Sequence, residues 1–342
     1  MTRKNLLQSP MRVQREHIFG DARSFAQCHA STLVAVPDGR LLVAWFGGTR
    51  ESHSDVGIWA AERDAYAAES VDRPASAPGT NWSAPRLIAK VSHKAHWNPV
   101  LFALTASGQD LVLHFKVGAR IRDWETWAQR STDAGKSWST PTPLVPGDRG
   151  GRGAVRNKPI RLASGSWIAG ASIEGWRSWH SFIDRSPNGV DQWLASDRIE
   201  IDRREFSGKG LIQPTLWESL PGRVHALFRS TDGRTHRSDS EDDGRSWSVA
   251  YPIEVPNNNS GLDLTKMRDG RLALVCNPVA GNWAARTPLS ILYSTDNGES
   301  WPERIDIETE SGEFSYPAVI EVEDGLRISY SWNRRRIALA CV

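Results

Sequence analysis

Short apolar runs of strand length alternate along the chain with polar clusters rich in Gly, Asp, Asn and Pro. Six stretches share one plan: a polar opener, a β-type run, a Gly-containing turn, and a second apolar run. They read "HASTLVAVPDGRLLVAWF" from His29, "NPVLFALTASGQDLVLHF" from Asn98 and "NKPIRLASGSWIAGASI" from Asn157. Then come "QPTLWESLPGRVHALF" from Gln213, "SGLDLTKMRDGRLALVC" from Ser260 and "YPAVIEVEDGLRISYSW" from Tyr316. Each predicts a β-hairpin, because two runs of period-two or buried character flank a Gly/Asp turn.

A second element runs in phase with the first. Five tryptophans follow a polar approach: Trp82, Trp138, Trp193, Trp247 and Trp301, at intervals of 56, 55, 54 and 54 residues. Three of these approaches read Ser-x-Asp-x-Gly-x-x-Trp: "STDAGKSW" from Ser131, "SEDDGRSW" from Ser240 and "STDNGESW" from Ser294. They resemble part of an EF-hand calcium loop, but the later acidic ligands and the closing Glu are missing. The better reading is a fastener. The Asp accepts backbone N–H bonds within a tight turn, and the Trp buries a large ring between strands.

Two hairpins per unit and six units predict an all-β fold, a six-bladed β-propeller of four-stranded blades. The sixth copy stops at "RRRIALACV", one strand short. The N-terminal "VQREHIF" is expected to supply that outer strand and close the ring. One domain then spans residues 1–342, with residues 1–10 a flexible N-terminus and the Pro/Ser-rich segment from Asp72 to Thr80 a loop of blade one.

Composition narrows the function classes. The net charge of +2 gives no global attraction to nucleic acid or membranes. No apolar run is long enough for a transmembrane helix, and no signal-peptide h-region is visible, so a cytoplasmic location is expected. The three cysteines, Cys28, Cys276 and Cys341, form neither a disulfide framework nor a zinc pattern. No cofactor and no metal site is expected, and the oligomeric state is left open.

In a propeller the innermost strands line the axis, so the six openers should meet there: His29, Asn98, Asn157 with Lys158, Gln213, Ser260 and Tyr316. A polar-lined central pocket is the consequence. Arg50, Lys116, Arg156, Arg229 and Arg286 are expected near the same face, where Arg forks match a carboxylate. Glu51, Asp55, Glu174 and Asp263 are the carboxylates in reach. Trp97, Trp124, Trp127, Trp176, Trp179, Trp283 and Trp332 lie in long loops and could stack on sugar rings.

These residues bring a family into view. The chain resembles the sialidase superfamily of six-bladed propellers, whose repeats carry Asp-boxes, and it is similar to sialidase-like proteins through "HASTLV…DGRLLVAWFGGTRE…SDVGIW". The resemblance covers nearly the whole chain. It implies a substrate carboxylate held by arginines, of which Arg229 and Arg286 match the second and third. It also implies Tyr316 as nucleophile and Asp55 as acid/base, the tyrosine exception to two-carboxylate glycosidases. Two positions depart from the pattern. His29 stands where the first arginine belongs, and Gln213 where a Glu would activate the tyrosine.

Three functions follow, in order of expectation. The first is hydrolysis of an anionic glycan, with Asp55 and Tyr316 catalytic and Arg229 and Arg286 on the carboxylate. The second is β-elimination on a uronate, with His29 and Tyr316 as base and acid and Arg50, Lys116 or Arg229 stabilising the intermediate. The third is a non-catalytic carbohydrate-binding propeller. Arg50, Glu51, Asn98, Lys116, Asn157, Lys158, Gln213, Arg229 and Arg286 are the expected substrate-binding residues.

Overall fold

The computed structural model describes residues 13–64 and 81–342. The segments read as a flexible N-terminus (1–10) and as a loop from Asp72 to Thr80 lie outside the described residues. Within residues 13–64 and 81–342, six antiparallel sheets of four strands form the blades of a propeller. Blade one is Gln27–Ala35, Leu41–Gly48, Gly57–Arg63 and Arg86–Ala89. Blade two is His96–Ala103, Leu111–Val117, Glu125–Ser131 and Thr142–Pro143. Blade three is Ile160–Arg161, Trp167–Glu174, Trp179–Ser186 and Leu194–Ala195. Blade four is Leu211–Leu220, Arg223–Ser230, Arg234–Ser240 and Tyr251–Pro256. Blade five is Asp263–Lys266, Leu272–Cys276, Leu289–Ser294 and Glu303–Glu308.

Blade six draws on both ends of the described chain. Phe314–Val322, Gly325–Trp332 and Arg336–Cys341 are joined by Gln14–His17 on the outside. Gln14 pairs with Cys341 and His17 with Ala338, and Ile18 N–H donates to Ile337 O at 2.9 Å. The expected N-terminal closing strand is therefore present.

The core lies between blades, because each sheet buries both faces against its neighbours. Leu42, Phe46 and Ile58 of blade one pack with Leu101, Leu113 and Phe115 of blade two. Phe314, Ile328 and Tyr330 of blade six pack with Val275 and Ile291 of blade five. A fully buried aliphatic or aromatic side chain contributes about 1.5–3 kcal/mol relative to an exposed one, so these seams hold the ring.

The Ser-x-Asp-x-Gly turns join strands three and four of blades two, four and five. In each, the Ser hydroxyl accepts the Gly N–H, at 2.8, 2.9 and 2.8 Å for Gly135, Gly244 and Gly298. The Asp accepts the N–H of the second Ser, at 2.9 Å for Asp133 and Asp242 and 3.0 Å for Asp296. Blade three has a related turn, one residue tighter, in which Gly189 N–H donates to Ser186 Oγ and Asn188 Oδ1 accepts the Val190 and Asp191 N–H groups. The turns also reach across the seam to the preceding blade. Arg86 donates to Gly135 O, and Trp217 Nε1 donates to Asn297 Oδ1 at 2.8 Å.

What aims the functional side chains is a repeated irregularity in the inner strands. Register shifts occur between His29 and Thr32, Trp97 and Val100, Ile212 and Thr215, and Ser315 and Ala318. At these bulges Ala30, Asn98, Gln213 and Tyr316 take positive φ, 55°, 39°, 55° and 55°. A non-Gly residue held there costs about 1–3 kcal/mol. A bulge bends its strand and redirects a side chain, here at the end of each strand where the openers meet.

Candidate active site

Tyr316, from the blade-six bulge, is the centre of the site. Three guanidinium groups surround its ring: Arg156, Arg229 and Arg286, with Cζ 5.2, 5.7 and 5.5 Å from the ring centroid. Arg229 Nη1 donates to the phenol oxygen at 2.7 Å. Its Nη1 also meets Gln213 Oε1 at 3.2 Å, and its Nε meets Asn259 Oδ1 at 2.7 Å, so the fork is held from both sides. Gln213 donates onward to Glu174 Oε1 at 3.1 Å. Burial pushes the Glu174 carboxyl up, against the pull of Arg229.

His29 lies on the other side, its ring 4.2 Å from that of Tyr316. Both ring nitrogens are buried and have no hydrogen-bond partner. Burial holds the imidazole well below its ordinary pKa, reinforced by Arg334, Arg286, Arg156 and Arg229. It is therefore a neutral imidazole among cations.

Arg334 was missed in the sequence. It sits in the turn between Trp332 and Arg336, at φ 53°. Its Nε donates to Glu313 Oε1 at 2.9 Å, and its Nη1 to Glu51. The same Glu313 oxygen accepts Arg286 Nη1 at 2.7 Å. Two arginines thus share one carboxylate oxygen. Asn259 was also missed. It belongs to "NNNSG", directly before the blade-five inner strand, and the three consecutive asparagines were the available signal.

Other expected residues fall elsewhere. Lys116 is completely buried between blades two and three, donating to Thr126 Oγ1 at 2.6 Å and Arg152 O at 2.7 Å. It is sealed from any ligand, because strand alternation turns its side chain into the seam, and burial lowers its pKa to about 7. Lys158 pairs with Asp263 at 2.9 Å. Asp263 also accepts Thr215 Oγ1 and Val319 N–H, both at 2.9 Å, so this pair ties inner strands together. Asn157 likewise donates to Gln213 O at 3.0 Å. Asn98 and Ser260 are buried.

Arg50 and Asp55 lie in the loop after the second strand of blade one. Arg50 is exposed. Asp55 accepts the Thr49 N–H at 3.0 Å and hydroxyl at 2.6 Å, and pairs with His53 at 2.7 Å. Its slight burial favours the neutral acid, but these hydrogen bonds outweigh it and hold the carboxyl below its usual range. Of the aromatics, Trp97 and Trp124 are buried, while Trp176 and Trp283 are 77% and 63% exposed. Trp283 stands 5.6 Å from the Arg229 guanidinium, and Trp179 5.7 Å.

The arrangement is a six-bladed propeller with an arginine-ringed tyrosine where its inner strands begin. The chain belongs to the BNR repeat-like domain family, whose model matches residues 39–328. A search of curated protein sequences finds no significant match. Similar solved structures include a protein of unknown function from Dyadobacter fermentans, with TM-score 0.75, 15% identity, and 96% of this chain and 98% of that one covered. Another is a K499G mutant of the NanB sialidase of Streptococcus pneumoniae, with TM-score 0.72, 12% identity, and coverage of 95% and 70%. A third is the Trypanosoma rangeli sialidase in complex with 2,3-difluorosialic acid as a covalent intermediate, with TM-score 0.69 and 15% identity. This chain spans 59% of that protein and is itself covered over 96%. At such identities the likeness is one of fold.

Proposed function

We propose that this propeller is an enzyme that cleaves an anionic glycan by hydrolysis, with the chemistry centred on Tyr316. The observation that carries the reading is the charge around the phenol. Four guanidinium groups (Arg156, Arg229, Arg286 and Arg334) and the Lys158 ammonium face four carboxyls, Glu51, Glu174, Glu313 and Asp263, of which burial favours Glu174 as the neutral acid. A substrate carboxylate restores the balance, held by Arg229, Arg286 and Arg334. Tyr316 Oη attacks the anomeric carbon while Arg229 donates to the oxygen and the phenol proton passes to the adjacent imidazole of His29; water then cleaves the glycosyl–tyrosine bond, and Tyr316 regains a proton. Asp55 protonates the leaving oxygen. Because its carboxyl is held below the usual carboxylate range, the protonated fraction that this step needs grows as pH falls.

A specific observation supports elimination as the second reading. His29 is neutral, lacks a hydrogen-bond partner and lies against Tyr316, which suits a base for the proton beside a uronate carboxylate. Gln213, a neutral amide joined to the phenol only through Arg229, cannot take its proton as a carboxylate would.

The test is turnover on a panel of sialosides and uronate-containing glycans, following released reducing ends and ultraviolet absorbance together. Reducing ends without absorbance support hydrolysis. Absorbance from an unsaturated uronate replaces hydrolysis with elimination. Binding of a panel glycan without turnover on either channel makes the protein a carbohydrate-binding propeller.

A further inference from the structure

The far end of blade four holds a second constellation, independent of the reading above. The inner strand Leu211–Leu220 carries Gln213 near its start and Ser219 near its end, about 20 Å apart at strand rise. Ser219 Oγ lies 2.7 Å from His225 Nε2, and His225 Nδ1 lies 2.5 Å from Asp239 Oδ1. Two acceptors do not approach to 2.5 Å without a proton between them, so Nδ1 carries a hydrogen that Asp239 accepts.

A donor aimed at Nε2 makes that nitrogen the acceptor. Asn297 Nδ2 faces Nε2 at 3.2 Å, and Trp217 Nε1 fixes the amide orientation by donating to Asn297 Oδ1 at 2.8 Å. The imidazole stacks on Trp217 at 4.9 Å. Asp239 is anchored by Tyr251 Oη at 2.7 Å and Arg237 Nε at 2.8 Å. Arg237 Nη2 also lies 3.1 Å from Nδ1, and its charge is met by Asp239 and by Glu299 at 3.0 Å.

We propose that Ser219, His225 and Asp239 form a nucleophilic triad that hydrolyses short-chain acyl esters. The spacing meets the nucleophile–base–orienter geometry such chemistry needs. Ser219 is partly exposed, next to the 58% exposed Leu220, on a short turn closed by Arg223. Asn297 Nδ2 faces the same imidazole nitrogen as the hydroxyl does, and Lys266 Nζ donates to the Ser219 backbone carbonyl at 3.0 Å. In the reaction Ser219 Oγ bonds to the ester carbonyl carbon and its proton passes to Nε2. The tetrahedral oxyanion collapses, the C–O bond to the alcohol breaks, and that alcohol takes the proton. Water then repeats the sequence on the acyl-serine, releasing the acid and restoring Ser219.

The experiment uses the full chain with p-nitrophenyl acetate and a fluorophosphonate label, followed by peptide mass spectrometry. The expected result is an adduct on Ser219 and a loss of hydrolysis of at least about 100-fold in Ser219→Ala. Asp239→Asn should also lower the rate, and thermal melting checks that both variants fold. No adduct on Ser219, or undiminished hydrolysis by a folded Ser219→Ala, overturns the proposal.

Discussion

Arg229 is a single residue with three assignments: it bonds the Tyr316 phenol, the Gln213 amide and the Asn259 amide. This division of one fork predicts that Arg229→Lys keeps the charge and loses the site, since a point charge cannot replace the planar donors. Tyr316→Phe removes one oxygen. The expected outcome is a loss of kcat of at least about 100-fold with ligand Kd nearly unchanged, read by steady-state kinetics and calorimetry. Arg334→Met should act on the other parameter and raise KM about 10–100-fold, the scale of one lost charge-assisted hydrogen bond. His29, Gln213, Arg229, Arg286 and Tyr316 were legible as members of one site because each opens or follows a repeat. Arg334 was not. It stands in "NRRR", and only the turn geometry separates it from its neighbours. Lys116 looked equivalent to the arginines because a sequence does not say which seam a strand's side chain enters.

At the scale of elements, the Ser-x-Asp-x-Gly turn is where reading and structure meet most closely. Its spacing, its acceptor and its tryptophan were all visible; its reach into the preceding blade was not. Hydrogen bonds bring the carboxyls of Asp133 and Asp296 down to about 2, and that of Asp242 reaches about 2 although burial opposes it. A depressed carboxyl adds stability above its unfolded pKa, and that stability is lost as pH falls through the folded value. These three turns should therefore loosen between about pH 4 and 2, while in the blade-three turn an amide, Asn188, stands where the other turns have that carboxyl. Asp242→Ala is expected to cost about 1–3 kcal/mol, measured by urea denaturation at neutral pH. The inner-strand bulges were the least legible element, since nothing in Asn98, Gln213 or Tyr316 announces a positive φ.

For the whole molecule, the ring stores neutral histidines. Burial lowers His17 and His96 to about 4, His114 to about 3, and His29 well below its ordinary value. Each binds a proton near pH 6.5 when unfolded and resists one when folded. Their contribution is complete above about pH 6.5 and is withdrawn as pH falls through the folded values. The loss is up to about 1.4 kcal/mol per pH unit for each histidine in that window. Urea midpoints should drop steadily from pH 6.5 to 4, and His114→Asn should make the drop shallower.

The blade-six seam also imposes a schedule on synthesis. Gln14–His17 leaves the ribosome roughly 320 residues before its partner Arg336–Cys341. At about 5–20 residues per second, that interval is roughly 15–65 s. For all of it the strand that will close the ring has nothing to pair with, and the blades made so far form an open arc. A chaperone that shields a lone N-terminal strand for that long should raise the yield of native protein more than one that acts after release.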